Sequence, residues 1–227
     1  MYLSTFDIID LFFRFLAIGQ LSILCIYVLR KQCSLKPILA SMSIICLSAY
    51  LLLTAPIADE SYGMFRGVLL FFTELMPYIL WCFALSLLND DFHPKNWSKW
   101  IKLTLLLALF WFIYFFGYLQ GKGDFHPVNH LIELCLLLHI IFISIKGLAD
   151  DLVGVRRNIR MLWVLYTCIY LSTILVLELG DVSIRDSSLF SGLNALLILL
   201  ATTVFSFYFF KDKFKDETAK IGIDGID

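Results

Sequence analysis

The chain has 227 residues, 60% of them hydrophobic and 16% charged, with a mean hydropathy of +0.83; soluble domains run at about 45–50% apolar and 25% charged. Seven apolar stretches of about 20 residues, the length a helix needs to cross a bilayer, take up most of the chain and leave no room for a soluble catalytic or DNA-binding domain. The net charge of −1 conceals a sorted distribution of basic residues.

In chain order the spans are expected at Ile8 to Leu29, Pro37 to Ala55, Gly67 to Leu88, Trp100 to Leu119, Val128 to Ile145, Met161 to Leu179 and Leu189 to Phe210. The expected architecture is therefore all-α: a polytopic seven-helix transmembrane bundle over residues 1–210, followed by a short charged tail, 211–227. The start MYLSTFDIID has no basic n-region, and no small-residue cleavage site follows the first apolar run, so that run reads as a retained helix and not a signal peptide. Arg30, Lys31, Lys36, Lys95, Lys99, Lys102, Lys146, Arg156, Arg157, Arg160, Lys211, Lys213, Lys215 and Lys220 fall on one side of the bilayer, which is 14 of the 18 basic residues. Arg66, Lys122 and Arg185 fall on the other, and Arg14 lies inside the first span. The positive-inside rule then puts the N-terminus outside and the C-terminus in the cytoplasm of a multi-pass protein in a bacterial-type inner membrane. Trp97, Trp100, Tyr62, Phe65 and the Phe207 to Phe210 run stand at span ends, where amphipathic rings meet the headgroups.

The six cysteines, Cys25, Cys33, Cys46, Cys82, Cys135 and Cys168, lie in spans or, for Cys33, in a cytoplasmic loop, and no close pair has ligand spacing. They are expected to pack as small hydrophobes. The aromatic run FWFIYFF from Phe110 to Phe116 is expected to be packing surface.

Chemistry enters where charge interrupts the spans, because an ionisable group in hydrocarbon costs about 2.5–3.5 kcal/mol on insertion scales and so faces the bundle interior with a partner. Asp10, Lys102 and Glu178 sit near span ends, within reach of water. Arg14, Glu74 and Glu133 each lie roughly 8–10 Å inside a span at 1.5 Å of rise per residue, all in the outer half, and Asn194 is at a comparable depth. His126, His130 and Glu133 are spaced i, i+4 and i+7, one helical stripe if the fifth helix includes His126. Arg14, Glu74, His130 and Glu133 thus make a candidate ligand-binding set. One reading pairs Arg14 with Glu74 or Glu133 as a clamp. A second makes these groups the wall of an outward-facing pocket for a small polar or charged ligand. A third builds a metal site on His126, His130 and Glu133, for which no second span offers an obvious fourth ligand. The expectation is that the chain carries no metal and no other cofactor. His139 faces away from the stripe and is expected to be a packing histidine.

The cytoplasmic side holds a second constellation. Asp90 and Asp91 close the third span, and KGLADDLVGVRRNIR carries Asp150, Asp151, Arg156, Arg157 and Arg160. Leu148, Leu152, Val155 and Ile159 recur at helical spacing between those charges, which predicts an amphipathic helix on the membrane surface. Arg156 and Arg160 can meet Asp90 and Asp91 and relay a signal between two cytoplasmic ends. The span PYILWCFALSLLNDDFHP, with Trp81, Asp90, Asp91 and Phe92, followed by DDLVGVRRNIR, with Asp150, Asp151, Leu152, Arg156, Arg157 and Arg160, resembles the membrane-embedded N-terminal half of bacterial AraC-type transcriptional regulators. That resemblance implies a seven-helix sensor ahead of a cytoplasmic helix-turn-helix domain. Here residues 211–227 alone follow Phe210, where such a DNA-binding region needs about 100 residues, so no direct nucleic-acid contact by this chain is expected.

Other seven-helix chemistries fit less well. The last span has no central lysine for retinal, there is no Pro-Gln pair or clear internal repeat, and GxSxG, HExxH and GxxxxGK[ST] are absent. The expected function is a non-enzymatic membrane sensor that receives a small-molecule or membrane signal in its outer half and relays it to a cytoplasmic effector domain or protein. The alternative is a small transporter or permease using Arg14, Glu74, His130 and Glu133 as its pathway. The expected partners are the lipid bilayer, the small-molecule ligand, the effector and, as a further option, a second copy in a homodimer.

Overall fold

The computed structural model of the protein describes residues 4–30, 34–88, 92–123, 125–146, 164, 168, 190–204 and 206–207. Five helices are long and apolar enough to cross a membrane: α1 (Thr5–Leu29), α2 (Leu35–Leu53), α3 (Phe65–Leu88), α4 (Lys99–Phe112, prolonged by a wider turn over Ile113–Tyr118) and α5 (Phe125–Lys146). A further apolar helix covers Phe190–Val204. These helices make the chain a helical membrane protein.

Local chemistry sets the helix ends. Ser4 Oγ accepts from the Asp7 amide at 3.2 Å while Asp7 Oδ2 accepts from the Ser4 amide at 2.8 Å, a reciprocal cap that satisfies amides the first turn would otherwise leave open. Ser98 Oγ accepts from the Ile101 amide to start α4. In α3, Pro77 has no N–H for the Thr73 carbonyl, so the helix loses one backbone bond next to Glu74.

Helix directions follow from the cross-helix bonds. Arg14, early in α1, bonds Leu51 and Thr54 at the end of α2, so these two run antiparallel. Glu74 and Tyr78 of α3 meet Asn129 of α5, and Trp81 meets His139, so α3 and α5 run parallel. Ser191 bonds Asp10 and Thr202 bonds Gln20, so the Phe190–Val204 helix runs parallel to α1. One end of the bundle, here the N-terminal end, therefore holds the starts of α1, α3, α5 and the Phe190–Val204 helix.

On α1 the buried residues Asp10, Arg14, Ala17, Leu21, Leu24 and Val28 recur every three or four positions, which is one helical stripe. Phe12, Phe15, Ile23 and Ile26 on the other side are exposed, as lipid-facing residues must be. Lipid tails are as apolar as leucine, so burial alone does not hold such helices together; close backbone approach and interhelical hydrogen bonds do. Small residues accordingly sit at the contacts: Ala17, Cys46 and Ala84 are fully buried. Cys46, Met76, Leu80, Ala84, Leu137 and Ile140 pack with Val164 and Cys168 in one core, and Leu70, Phe112, Phe115 and Phe116 form another. Of the aromatic run, Phe112, Phe115 and Phe116 pack inward, while Phe110, Trp111, Ile113 and Tyr114 are exposed.

α3 and the end of α4 approach closely, and a Cβ added to Gly67 would overlap the Gly117 carbonyl oxygen. Gly67→Ala is expected to destabilise the purified protein by about 1–3 kcal/mol, the usual cost of overpacking. Gly19 has open space around it, so Gly19→Ala should leave the protein unchanged or stabilise it by about 0.5–1 kcal/mol. Thermal melts of the two variants in detergent check the contrast.

Candidate functional site

Two buried polar clusters occupy the N-terminal end. The first is built on Arg14, whose side chain is only 2% exposed. Its Nε donates to Asp10 Oδ1 at 2.9 Å, Nη1 to the Leu51 carbonyl and to Thr54 Oγ1 at 2.7 Å each, and Nη2 to Ser191 Oγ at 2.9 Å. Ser191 in turn donates to Asp10 Oδ2 at 2.7 Å, closing a ring of three side chains from two helices. The expected pairing of Arg14 with Glu74 or Glu133 is therefore corrected: the partner is Asp10, one turn away on the same helix. Asp10 is likewise buried and does not reach water as its place near a span end implied. α1 begins at Thr5 and continues past it, turning this residue onto the interior stripe.

The second cluster joins α3 to α5. Asn129 is fully buried, and its Nδ2 donates to Glu74 Oε2 at 2.8 Å and to Glu133 Oε1 at 2.5 Å. Its Oδ1 accepts from Tyr78 Oη at 2.7 Å. Two carboxyl groups thus meet on a single amide nitrogen, with imidazoles beside them. His130 Nδ1 lies 3.2 Å from Glu133 Oε2 and 4.0 Å from Glu74 Oε2, and His126 Nε2 lies 3.8 Å from Glu74 Oε1. The two imidazole rings meet edge to face with centroids 4.4 Å apart.

Backbone features place these groups. α5 begins at Phe125, early enough to put His126 on the stripe with His130 and Glu133. Gly121 turns the chain with a φ of +70°, and a Cβ there would come within 3.0 Å of His126 Nδ1, so a side chain at this position would crowd the imidazole as well as strain the turn. The His126 side chain is 32% exposed while Glu74 is 6% exposed, so the cluster is open at its rim and closed below.

Of the four expected ligand-binding residues, Glu74, His130 and Glu133 come together and Arg14 does not join them. Glu74 also supplies, from α3, the carboxylate that no second span had been expected to offer to His126 and His130. Asn129 and Tyr78 complete the cluster and were missed; the available signal was a polar Asn one helical turn before Glu133. Asn194 donates to Tyr50 Oη at 2.7 Å and ties the Phe190–Val204 helix to α2. His139 Nδ1 accepts from Trp81 Nε1 at 3.0 Å, a bond between α5 and α3 made by an exposed imidazole. The relay residues Asp90, Asp91, Asp150, Asp151, Arg156, Arg157 and Arg160 lie outside the described residues, as does Glu178.

No protein-family model, curated protein or solved structure matches the chain. The two clusters differ in the chemistry they offer. The first has the chemistry of a clamp: its charges are mutually neutralised and most guanidinium N–H groups are used. The second offers carboxyl oxygens and imidazole nitrogens at an accessible rim, the chemistry of a small cationic or hydrogen-bonding ligand.

Proposed function

We propose that the chain is the membrane-embedded receiving domain of a signalling protein, which binds its signal at the Glu74, His126, His130 and Glu133 cluster and passes the change to a cytoplasmic effector. The observation that carries this reading is an asymmetry. Every buried Asp, Glu and Arg among the described residues, namely Asp10, Arg14, Glu74 and Glu133, belongs to the N-terminal end. Toward the other end the buried polar groups are uncharged: Ser86 and Ser144 bond their own helix carbonyls, Thr202 bonds Gln20, and Ser41 is buried in the first turns of α2. A permease needs polar groups facing both sides of the membrane, so this distribution favours reception over transport.

Orientation and span number are part of the same reading. Arg30, Lys36, Lys95, Lys99, Lys102 and Lys146 gather at the end opposite the clusters, which by the positive-inside rule is cytoplasmic. α5 finishes at that end, whereas Ser191 bonds Asp10 and Arg14 at the N-terminal end. A chain of seven spans has this geometry, with Met161 to Leu179 as the returning sixth. A bacterial inner membrane and an AraC-like effector, fused or separate, complete the reading, and Asp90, Asp91, Asp150, Asp151, Arg156, Arg157 and Arg160 are its relay.

Two measurements test it. A reporter enzyme fused after Phe210 should be active only in the cytoplasm, and periplasmic activity would reverse the orientation. Transcript profiles of host cells carrying the wild-type protein, no protein, or Glu74→Gln should show the variant grouping with the deletion. A deletion with no transcriptional effect would remove the sensor reading, and a cargo-uptake defect in its place would establish the permease.

A further inference from the structure

We propose that Glu74, His126 and His130, supported by Glu133, form a binding site for a divalent transition-metal ion of the zinc class at the outer rim of the bundle. The proposal rests on the sensor reading only for what the ion does, since it makes the ion the received signal; the site itself stands on its own geometry.

One carboxylate oxygen of Glu74 and one ring nitrogen from each of His126 and His130 lie within 4.8 Å of one another. Ligand atoms on a tetrahedral zinc stand about 3.3 Å apart, given metal–ligand bonds of about 2.0–2.2 Å. Small side-chain rotations would therefore close the set. Glu133, held 3.2 Å from His130 Nδ1, is placed either to complete the coordination or to orient that imidazole by accepting its N–H, the arrangement that fixes tautomer and ring angle in zinc sites. Beyond the ligands, Asn129 fixes one oxygen of each carboxyl and Tyr78 fixes Asn129, which leaves Glu74 Oε1 turned toward His126.

Charge and donor type select the ion. One divalent ion with two neutral imidazole ligands and two carboxylates makes a neutral site, which suits a low-dielectric layer. Imidazole nitrogen paired with carboxylate oxygen suits zinc, cobalt or nickel, whereas magnesium and calcium prefer all-oxygen shells. The partly exposed His126 gives the ion a way in from the rim.

The test uses the full chain in lipid nanodiscs, stripped with a chelator and titrated with Co2+, whose visible absorption reports tetrahedral nitrogen and oxygen coordination. We expect saturable binding of one Co2+ per chain, displacement by Zn2+, and none by Mg2+ or Ca2+. His126→Gln and His130→Gln should each weaken binding by at least tenfold, and Asn129→Ala by about 10–100-fold through the loosened carboxylates. His126 lies at the rim, so its variant keeps the test valid if His130→Gln fails to fold; size-exclusion profile and helical circular dichroism confirm folding. An absence of saturable Co2+ uptake by the wild-type chain, or full uptake by folded His126→Gln, overturns the site. Wild-type uptake together with unchanged transcripts in Glu74→Gln cells would keep the site and overturn the sensor reading. No uptake together with changed transcripts would do the reverse.

Discussion

Arg14→Leu is expected to remove about 3–5 kcal/mol of stability, the usual result of leaving one member of a buried ion pair without its partner. Asp10 would remain buried with its Oδ1 unmatched, and Leu51, Thr54 and Ser191 would each lose a guanidinium donor. Adding Asp10→Leu should restore much of the loss, because a pair of apolar side chains in place of a buried ion pair is often neutral or stabilising. Arg14→Lys should fall between the two, since an ammonium cannot reach four acceptors arranged for a planar fork. Folded yield and resistance to SDS unfolding for the wild type, Arg14→Leu, Asp10→Leu and the double variant form a cycle whose coupling term should be large. Additive losses in the single and double variants would dissolve the clamp.

The second large effect is expected at Asn129. Asn129→Leu takes the shared donor from Glu74 and Glu133 and the acceptor from Tyr78, at a cost of about 2–4 kcal/mol, since groups left buried without partners bear a desolvation penalty that is larger when they are charged. Tyr78→Phe removes only the outermost bond, and at about 0.6 kcal/mol for an average interhelical hydrogen bond in a membrane protein it should be mild. Combining Asn129→Leu with Glu133→Gln relieves one charge and should recover part of the loss. Detergent melts of the four proteins decide the order, and a Tyr78→Phe as damaging as Asn129→Leu would mean that the hydroxyl has a further role.

Length and hydropathy made the helices readable from sequence, and with the wider turn to Tyr118 counted as part of α4 the starts and ends of α1 to α5 differ from the expected span limits by at most three residues. Depth was readable too: Arg14, Glu74 and Glu133 are buried at one end of the bundle as their positions implied. Partners were not. Hydropathy does not say which helices are neighbours, so the meeting of Glu74 with His126 and His130 across α3 and α5 had no signal in either segment alone. Asp10 was misjudged because counting from Ile8 set it two residues inside a span, where water is near; its i, i+4 relation to Arg14 was the better guide. Asn129 escaped a search for charge although it holds two charged groups in place.

The arrangement around Arg14 also imposes an order on biogenesis. Asp10 and Arg14 are one turn apart on the first helix, so they can enter the bilayer as a neutralised unit without waiting for the rest of the chain. The guanidinium then gains Leu51 and Thr54 when α2 docks, but Ser191 is 177 residues away along the chain. Both the remaining guanidinium donor and Oδ2 of Asp10 stay without Ser191 until that helix is inserted. A nascent chain stalled before this point carries a half-satisfied polar surface in lipid. Insertion of the Phe190–Val204 helix is thereby registered inside the membrane at α1, 177 to 181 residues earlier in the chain.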